Sequence, residues 1–299
     1  MSEVDHRSLL AGLTAEQRRE LTGLSDGKGI AQLTSHLALI SVLAIPIALG
    51  IPYWPLLLVP LGIAIIFLFT ALHESVHGTA FKSDWLNRMI AHAAGFVVFV
   101  PATWFRYFHF AHHRHTHDEA LDPELMSPKP ATFWQYVKYL SGIPMWISLT
   151  KSLFVNALAR GHEDFVPDRA KQQVVTEARL TFLFYVLCLA VSITLATDVL
   201  VWLWIVPALL GQPFLRAYLL AEHARCPHVA NMLENTRTTF TTRLMRFLAW
   251  NMPYHAEHHA YPIVPFHKLP AFHAIAQAHL KETERGYIRF NRKFMSALR

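Results

Sequence analysis

Charged residues and cysteines are both scarce in this sequence. Asp, Glu, Lys and Arg together make up 16% of its 299 residues against 53% apolar ones, and mean hydropathy is +0.26. An ordinary soluble domain of this length carries about a quarter of its residues as charges, so the deficit argues against that class and turns attention to bilayer spans. The two cysteines, Cys188 in an apolar run and Cys226 beside a proline, exclude a disulfide framework and give no metal-ligand spacing. Both read as packing residues. No Gly-x-Gly-x-x-Gly fingerprint, cysteine set for an iron–sulfur cluster or haem-binding segment occurs, so an electron carrier is not expected within the chain. The opening Met1-Ser2-Glu3-Val4-Asp5 lacks a basic region leading into an apolar stretch, which argues against a secretory signal. There is no internal repeat and no low-complexity linker.

The basic balance, a net charge of +6, does not point to nucleic acid, because the cations are spread between apolar runs and accompany no recognition motif. Four runs are long enough for the roughly 30 Å hydrocarbon core: Leu33 to Leu49, Pro55 to Leu72, Leu180 to Ala196 and Val199 to Leu220. Only Gly50-Ile51-Pro52-Tyr53-Trp54 separates the first two, and Thr197-Asp198 the last two, which predicts two helical hairpins. Neither turn carries Lys or Arg. All 27 basic residues then fall on one side, Arg179 and Arg216 at the inner ends of the third and fourth spans, so both termini and the middle segment are expected in the cytoplasm. The aromatic-rich segment Ala131 to Arg160, broken by Gly142 and Pro144, predicts interfacial helices. Leu86 to Trp104 is apolar but holds His92 and ends near Pro101; it is expected to be re-entrant or interfacial. The expected architecture is one all-α integral membrane domain over residues 1–299, with four spans, interfacial helices and a cytoplasmic histidine-rich cap. Residues 1–30 form an N-terminal arm and 276–299 a basic tail.

What the sequence has in excess is histidine, 19 residues, in clusters. His73 and His77 share a helix face at the end of the second span. His109, His112, His113, His115 and His117 crowd one short stretch. His223 ends the fourth span, and His255, His258 and His259 stand in Asn251-Met252-Pro253-Tyr254-His255-Ala256-Glu257-His258-His259. One such pair is weak evidence, but clusters at matching depth offer more imidazoles than a single four-coordinate zinc can use. That number suits two metals of higher coordination, each with an open position.

These boxes, His73-x3-His77, His109-x2-His112-His113 and His255-x2-His258-His259, resemble those of the membrane fatty acid desaturase superfamily. Their order, their spacing, the long gap holding two spans, and the flanks Asp122-Pro123-Glu124 and Tyr261-Pro262 are all similar, across roughly residues 30 to 275. The resemblance implies a centre of two iron ions that uses O2 as co-substrate to remove hydrogen from an acyl chain. It makes His73, His77, His109, His112, His113, His255, His258 and His259 ligands, with His223 matching an extra histidine on the fourth span. In acyl-CoA desaturases of the superfamily an asparagine one turn before that histidine helps hold a metal-bound water; Leu219 stands there in this chain. Desaturation of a straight acyl chain is the first expectation, with hydroxylation, ketone formation on carotenoids and terminal-alkene formation as alternatives. The electrons are expected from a separate ferredoxin, rubredoxin or cytochrome b5 type donor and its reductase, steered by the basic tail residues Lys281, Arg285, Arg289, Arg292 and Lys293 or, equally, displaced from that role if these only bind lipid headgroups.

Imidazole ligands are usually oriented by outer partners, and Glu74, Asp118, Glu222, Glu257 and Asn251 are the candidates beside the boxes. His115, His117, His228, His267, His273 and His279 are expected outside the ligand set, and His36 and His92 to be structural. Two rivals exist. His73-Glu74-Ser75-Val76-His77 also fits the His-Glu-x-x-His pattern of zinc proteases, with Glu74 as general base, but leaves two boxes unused. A metal transporter would place polar residues along a mid-membrane path, whereas these spans are nearly free of ionisable side chains. From the charge distribution, a reporter fused after Arg299 is expected to read out as cytoplasmic; a periplasmic or luminal signal would overturn the topology.

Overall fold

The structure, a computed structural model, describes residues 5–161 and 163–299; the first four residues of the N-terminal arm lie outside them. Helices α1 (His6–Ala11) and α2 (Ala15–Leu21) form the arm, the second started by a capping box between Thr14 and Gln17. The first apolar run is α3 (Asp26–Ala48), whose start is fixed by the Ser25 hydroxyl accepting the Lys28 N–H. The second becomes a 3-10 turn, then α4 (Leu58–Ile66) and α5 (Leu68–His77). Their joint is held where Thr70 Oγ1 donates to the carbonyls of Phe67 and Leu248, at 2.8 and 3.1 Å.

Next come α6 (Asp84–Val97) and α7 (Ala102–His115), bent by 100°. The bend has a local cause. Phe99 adopts φ 61°, Val100 N–H closes on the Gly95 carbonyl at 2.8 Å, and a Cβ on Gly95 would lie 2.5 Å from the Val100 oxygen. Pro101 then blocks continuation of the first helix. Helices α8 (Phe133–Leu140) and α9 (Ile143–Ala157) follow, turning at Gly142 with φ 70°. The third run is α10 (Asp168–Thr194), which begins well before Leu180 because Val166, Ala170 and Val174 bury against Trp104, Tyr107 and Phe165. The fourth opens with a π-helical turn at Val201–Ile205 and runs as α11 (Val206–His223). His223 is therefore its last residue.

Four helices are long and apolar enough to cross a membrane, or up to five if the bent pair α6–α7 counts as one span. Their outward faces carry large exposed apolar side chains, such as Val42, Ile193 and Leu195 at 67 to 70% exposure, a surface suited to lipid and not to water. The remainder comprises α12 (Met232–Asn235), α13 (Arg243–Leu248), α14 (His255–Ala260), α15 (Leu269–Ala276) and α16 (Tyr287–Ser296). Two short parallel strands, β1 (Thr238–Phe240) and β2 (Thr283–Arg285), pair Thr238 with Thr283. The basic tail folds back onto this body: Phe290 and Phe294 pack with Tyr136, Leu220 and Ala224, and Glu284 pairs with Arg289 and Lys293.

Helices α4 and α11 cross in direct backbone contact. A Cβ on Gly62 would sit 1.9 Å from the Pro207 oxygen, and one on Gly211 would sit 2.2 Å from the Gly62 carbonyl group. Small residues at a helix crossing permit this approach, and here it ties the element ending in His223 to the one leading into His73 and His77. Gly62→Ala or Gly211→Ala is expected to cost about 1–3 kcal/mol through overpacking, read as a lower melting temperature in detergent. An unchanged melting temperature would mean that the two helices separate without penalty.

Candidate metal centre

Three helices and one helix end deliver nine imidazoles to one place. On α5, His73 and His77 are four residues apart; the helix stops at Gly78, whose φ of 76° is left-handed. On α7, His109, His112 and His113 occupy positions i, i+3 and i+4, one face. On α14, His255, His258 and His259 repeat that spacing, and His223 closes α11.

The rings gather around two foci. One nitrogen from each of His73, His77, His109, His113 and His258 lies within 4.8 Å of the others, and the same holds for His112, His223 and His259. His109 Nε2 is 2.8 Å from His77 Nε2 and 3.0 Å from His113 Nε2. His223 Nε2 is 3.1 Å from His112 Nε2 and 3.2 Å from His255 Nε2, which adds His255 to the second group. His113 and His259 stack at 4.0 Å and join the two groups. The nine form one cluster, and α7 can reach it because the α6–α7 bend returns the chain instead of carrying it straight on.

The donor set fits metal. Both ring nitrogens of His73 and of His258, together with His259 Nε2, are buried without a hydrogen-bond partner. Each such atom costs about 1–3 kcal/mol when nothing takes its lone pair or proton. Burial, followed by the neighbouring imidazoles, holds His255, His258 and His259 well below ordinary histidine values. They are therefore neutral, the form a cation binds.

The residues around these rings differ in part from those expected beside the boxes. Glu222 Oε1 faces His255 Nδ1 at 3.4 Å. Glu74 is fully buried with Oε1 3.7 Å from His73 Nδ1, too far for a hydrogen bond, while its Oε2 accepts from Phe266 N and Thr79 Oγ1. Asn251 donates to the Phe266 carbonyl at 3.0 Å, so these two side chains pin the same loop from either side. Asp118 reaches no imidazole: it is exposed and accepts the N–H groups of Ala120 and Leu121, closing its own turn. Asp122 takes the place expected for it, with Oδ1 2.9 Å from His112 Nδ1 and Oδ2 accepting the His117 N–H. Glu257 is fully buried, but its oxygens are taken by His273 Nδ1 and Thr238 Oγ1. It fastens α14 to α15 and β1 without touching a clustered ring.

Three further contributors had no box position to reveal them. Thr116 Oγ1 lies 3.3 Å from His259 Nδ1. Glu124 Oε2 lies 3.4 Å from His112 Nε2 while its other oxygen pairs with Lys129; burial pushes the carboxyl up, but Lys129 and His112 outweigh it and hold it well below the usual range. Glu177 on α10 accepts the Thr103 N–H at 2.8 Å and also meets His92 Nδ1 at 2.8 Å. It caps α7, whose own N-cap, Pro101, supplies no side-chain bond. Among the remaining histidines, His36 is buried between the Ala64 carbonyl and Trp250 Nε1, and His117 is buried beside His228, 4.6 Å between rings.

The histidines open onto a cavity of about 740 Å³. His73, His109, His112 and His255 line one part, Phe69, Phe105 and Phe108 the adjoining wall, and Leu219 is also exposed to it.

Residues 49–291 match the fatty acid desaturase family. Among curated proteins, the chain is similar to a sphingolipid delta(4)-desaturase of Komagataella phaffii, 25% identical over 225 residues that cover 70% of this chain and 57% of that protein. It is also similar to a sphingolipid delta(4)-desaturase DES1-like of Arabidopsis thaliana, 24% identical over 216 residues, 70% of this chain and 59% of the relative. The chain thus spans less than two thirds of the length of either relative. With its histidine boxes gathered as described and the match running over most of its length, the chain belongs to the fatty acid desaturase family.

Proposed function

We propose that the nine clustered histidines hold two iron ions and that the protein uses them, with O2, to introduce a double bond into an aliphatic chain of a membrane lipid. The observation that carries this reading is two groups of buried or half-buried imidazoles with orphaned nitrogens, opening onto a cavity with an aromatic wall beside them. Iron bound there would supply the O2-dependent oxidation of an unactivated C–H bond. The chain's own residues do the rest. His73, His77, His109, His113 and His258 would hold one ion, and His112, His223, His255 and His259 the other. Asp122 and Thr116 orient His112 and His259 from outside, and Glu222 faces His255 Nδ1 without a hydrogen bond. Phe69, Phe105 and Phe108 line the way to the metal with ring faces that accept an alkyl chain and exclude water. Both curated relatives are desaturases, which favours removal of two hydrogens over hydroxylation, ketone formation or terminal-alkene formation. Leu219, apolar and beside His223, leaves no side chain at that point to hold a metal-bound water.

The one-sided Lys and Arg distribution supports two hairpins with both termini and the histidine cluster in the cytoplasm. Two further electrons are needed for each O2 reduced, and the 299 residues contain no motif for a redox carrier. A ferredoxin, rubredoxin or cytochrome b5 type donor would supply them. In the tail, Arg289 and Lys293 are partly neutralised by Glu284, which leaves Arg285 and Arg292 as the stronger candidates for steering it.

Purified protein is expected to contain about two iron atoms per chain, since the imidazole count exceeds a single zinc site. His113→Ala and His258→Ala should each lower bound iron and abolish double-bond formation, detected by mass spectrometry, while membrane insertion persists. Full iron and full turnover in either variant would remove that residue from the ligand set, and one zinc per chain would favour the protease pattern. Asp122→Asn should reduce iron affinity by about 10–100-fold, the usual loss for an outer partner of a ligating histidine, whereas Asp118→Asn should leave it unchanged; equal effects would reverse their assignment.

Turnover with NAD(P)H and O2 should be absent from the purified chain alone and appear when a reductase and an acidic carrier are added, weakening as salt rises. Turnover without a carrier would refute the external donor.

A further inference from the structure

The cavity has aromatic rings beside the histidines and three cationic side chains in its lining. Arg216, Lys129 and Lys138 all line it. Arg216 sits on α11 seven residues before His223, two helical turns or roughly 10 Å along the axis, on the same face. Its guanidinium lies over the Tyr139 ring, 4.0 Å from the centroid, and Nη1 is 3.6 Å from Met145 Sδ. Its Nε is buried with no hydrogen-bond partner.

No carboxylate pairs with Arg216 among the described residues, and the acids nearest in the cavity are engaged elsewhere. Glu124 pairs with Lys129, and Glu222 faces His255. Lys138, adjacent to Tyr139, lines the same space and makes no ion pair among the described residues. A guanidinium is always charged and offers five donors in a planar fork. In a span otherwise nearly free of charge such a group is costly unless an anion meets it.

We infer that the cavity binds an amphiphile whose polar end is an anion, a carboxylate or a phosphate, held by Arg216 with help from Lys138, while its chain lies along Phe105 and Phe108 beside His73 and His109. This rests on the lipid-oxidising reading above and adds to it the charge and position of the headgroup. The helix register then makes Arg216 a specificity-determining residue: anchoring the headgroup two turns from His223 selects which part of the chain lies at the metal.

The test is equilibrium binding to the full-length, iron-loaded protein in detergent, with hexadecanoate, hexadecyl phosphate and hexadecanol as probes. At least one anion is expected to bind ten-fold or more tightly than the alcohol. Arg216→Gln should erase that preference while alcohol affinity and iron content stay unchanged, and Lys138→Gln should reduce it by less. Preference for the carboxylate would identify a free acid as the ligand, and preference for the phosphate a phosphorylated lipid. Equal affinity for all three probes would overturn the headgroup inference and leave the lipid reading standing. Failure of all three to bind would overturn both. Should Arg216→Gln not fold, the wild-type comparison decides whether an anion is preferred, and Arg216→Lys, which keeps the charge but loses the fork, should weaken the preferred anion without abolishing the preference.

Discussion

A neutral imidazole buried without a partner is unfavourable, and this protein buries nitrogens of that kind on several rings around two foci. Asp122 and Thr116 meet His112 and His259, but both ring nitrogens of His73 and of His258 have no hydrogen-bond partner. Cations placed between the nitrogens would relieve the cost. The cluster therefore defines what the remainder of the molecule must do, which is to bring helix ends from distant parts of the sequence to one point and hold them against relaxation.

Each helix bearing a box is held by a different device. The α5 box is set against α11 by the direct contact of Gly62 with Gly211. The α7 box is turned inward by the bend after Gly95 and started by Glu177, which supplies the capping acceptor that Pro101 cannot. The α14 box belongs to a helix of only six residues, which has little stability of its own. Glu257, bonded to His273 and Thr238, anchors it to α15 and β1, and Glu74 with Asn251 fixes the loop at Phe266. Several carboxylates near the boxes thus act on the backbone that carries the rings, and only some act on the rings themselves.

The cavity extends the same economy of charge. Its wall is aromatic where it meets the histidines and cationic where Arg216 and Lys138 face it. Among the cations lining the cavity, Lys129 is paired with Glu124, whereas Arg216 and Lys138 form no ion pair among the described residues. That contrast separates a side chain serving the fold from one available to a substrate.

The sequence by itself determined the long helices and the histidine sets. Apolar runs long enough to cross a bilayer locate the four long helices, though not the early start of α10 at Asp168, since hydropathy is a property of consecutive residues. Spacings of three and four put each histidine set on one helix face for the same local reason, and the bend near Pro101 is written in residues that adjoin it. What tertiary structure decided is everything that depends on residues far apart in the chain. Asp118 is nearer than Asp122 to the second box in sequence, yet a turn closes on the first and directs the second at His112. Glu177 lies 74 positions from the N–H it caps, and Gly62 and Gly211 are unremarkable glycines until two helices cross at them. The division of nine histidines into a group of five and a group of four, and the lack of a carboxylate partner for Arg216 among the described residues, arise from where helices end in space, which no local pattern encodes.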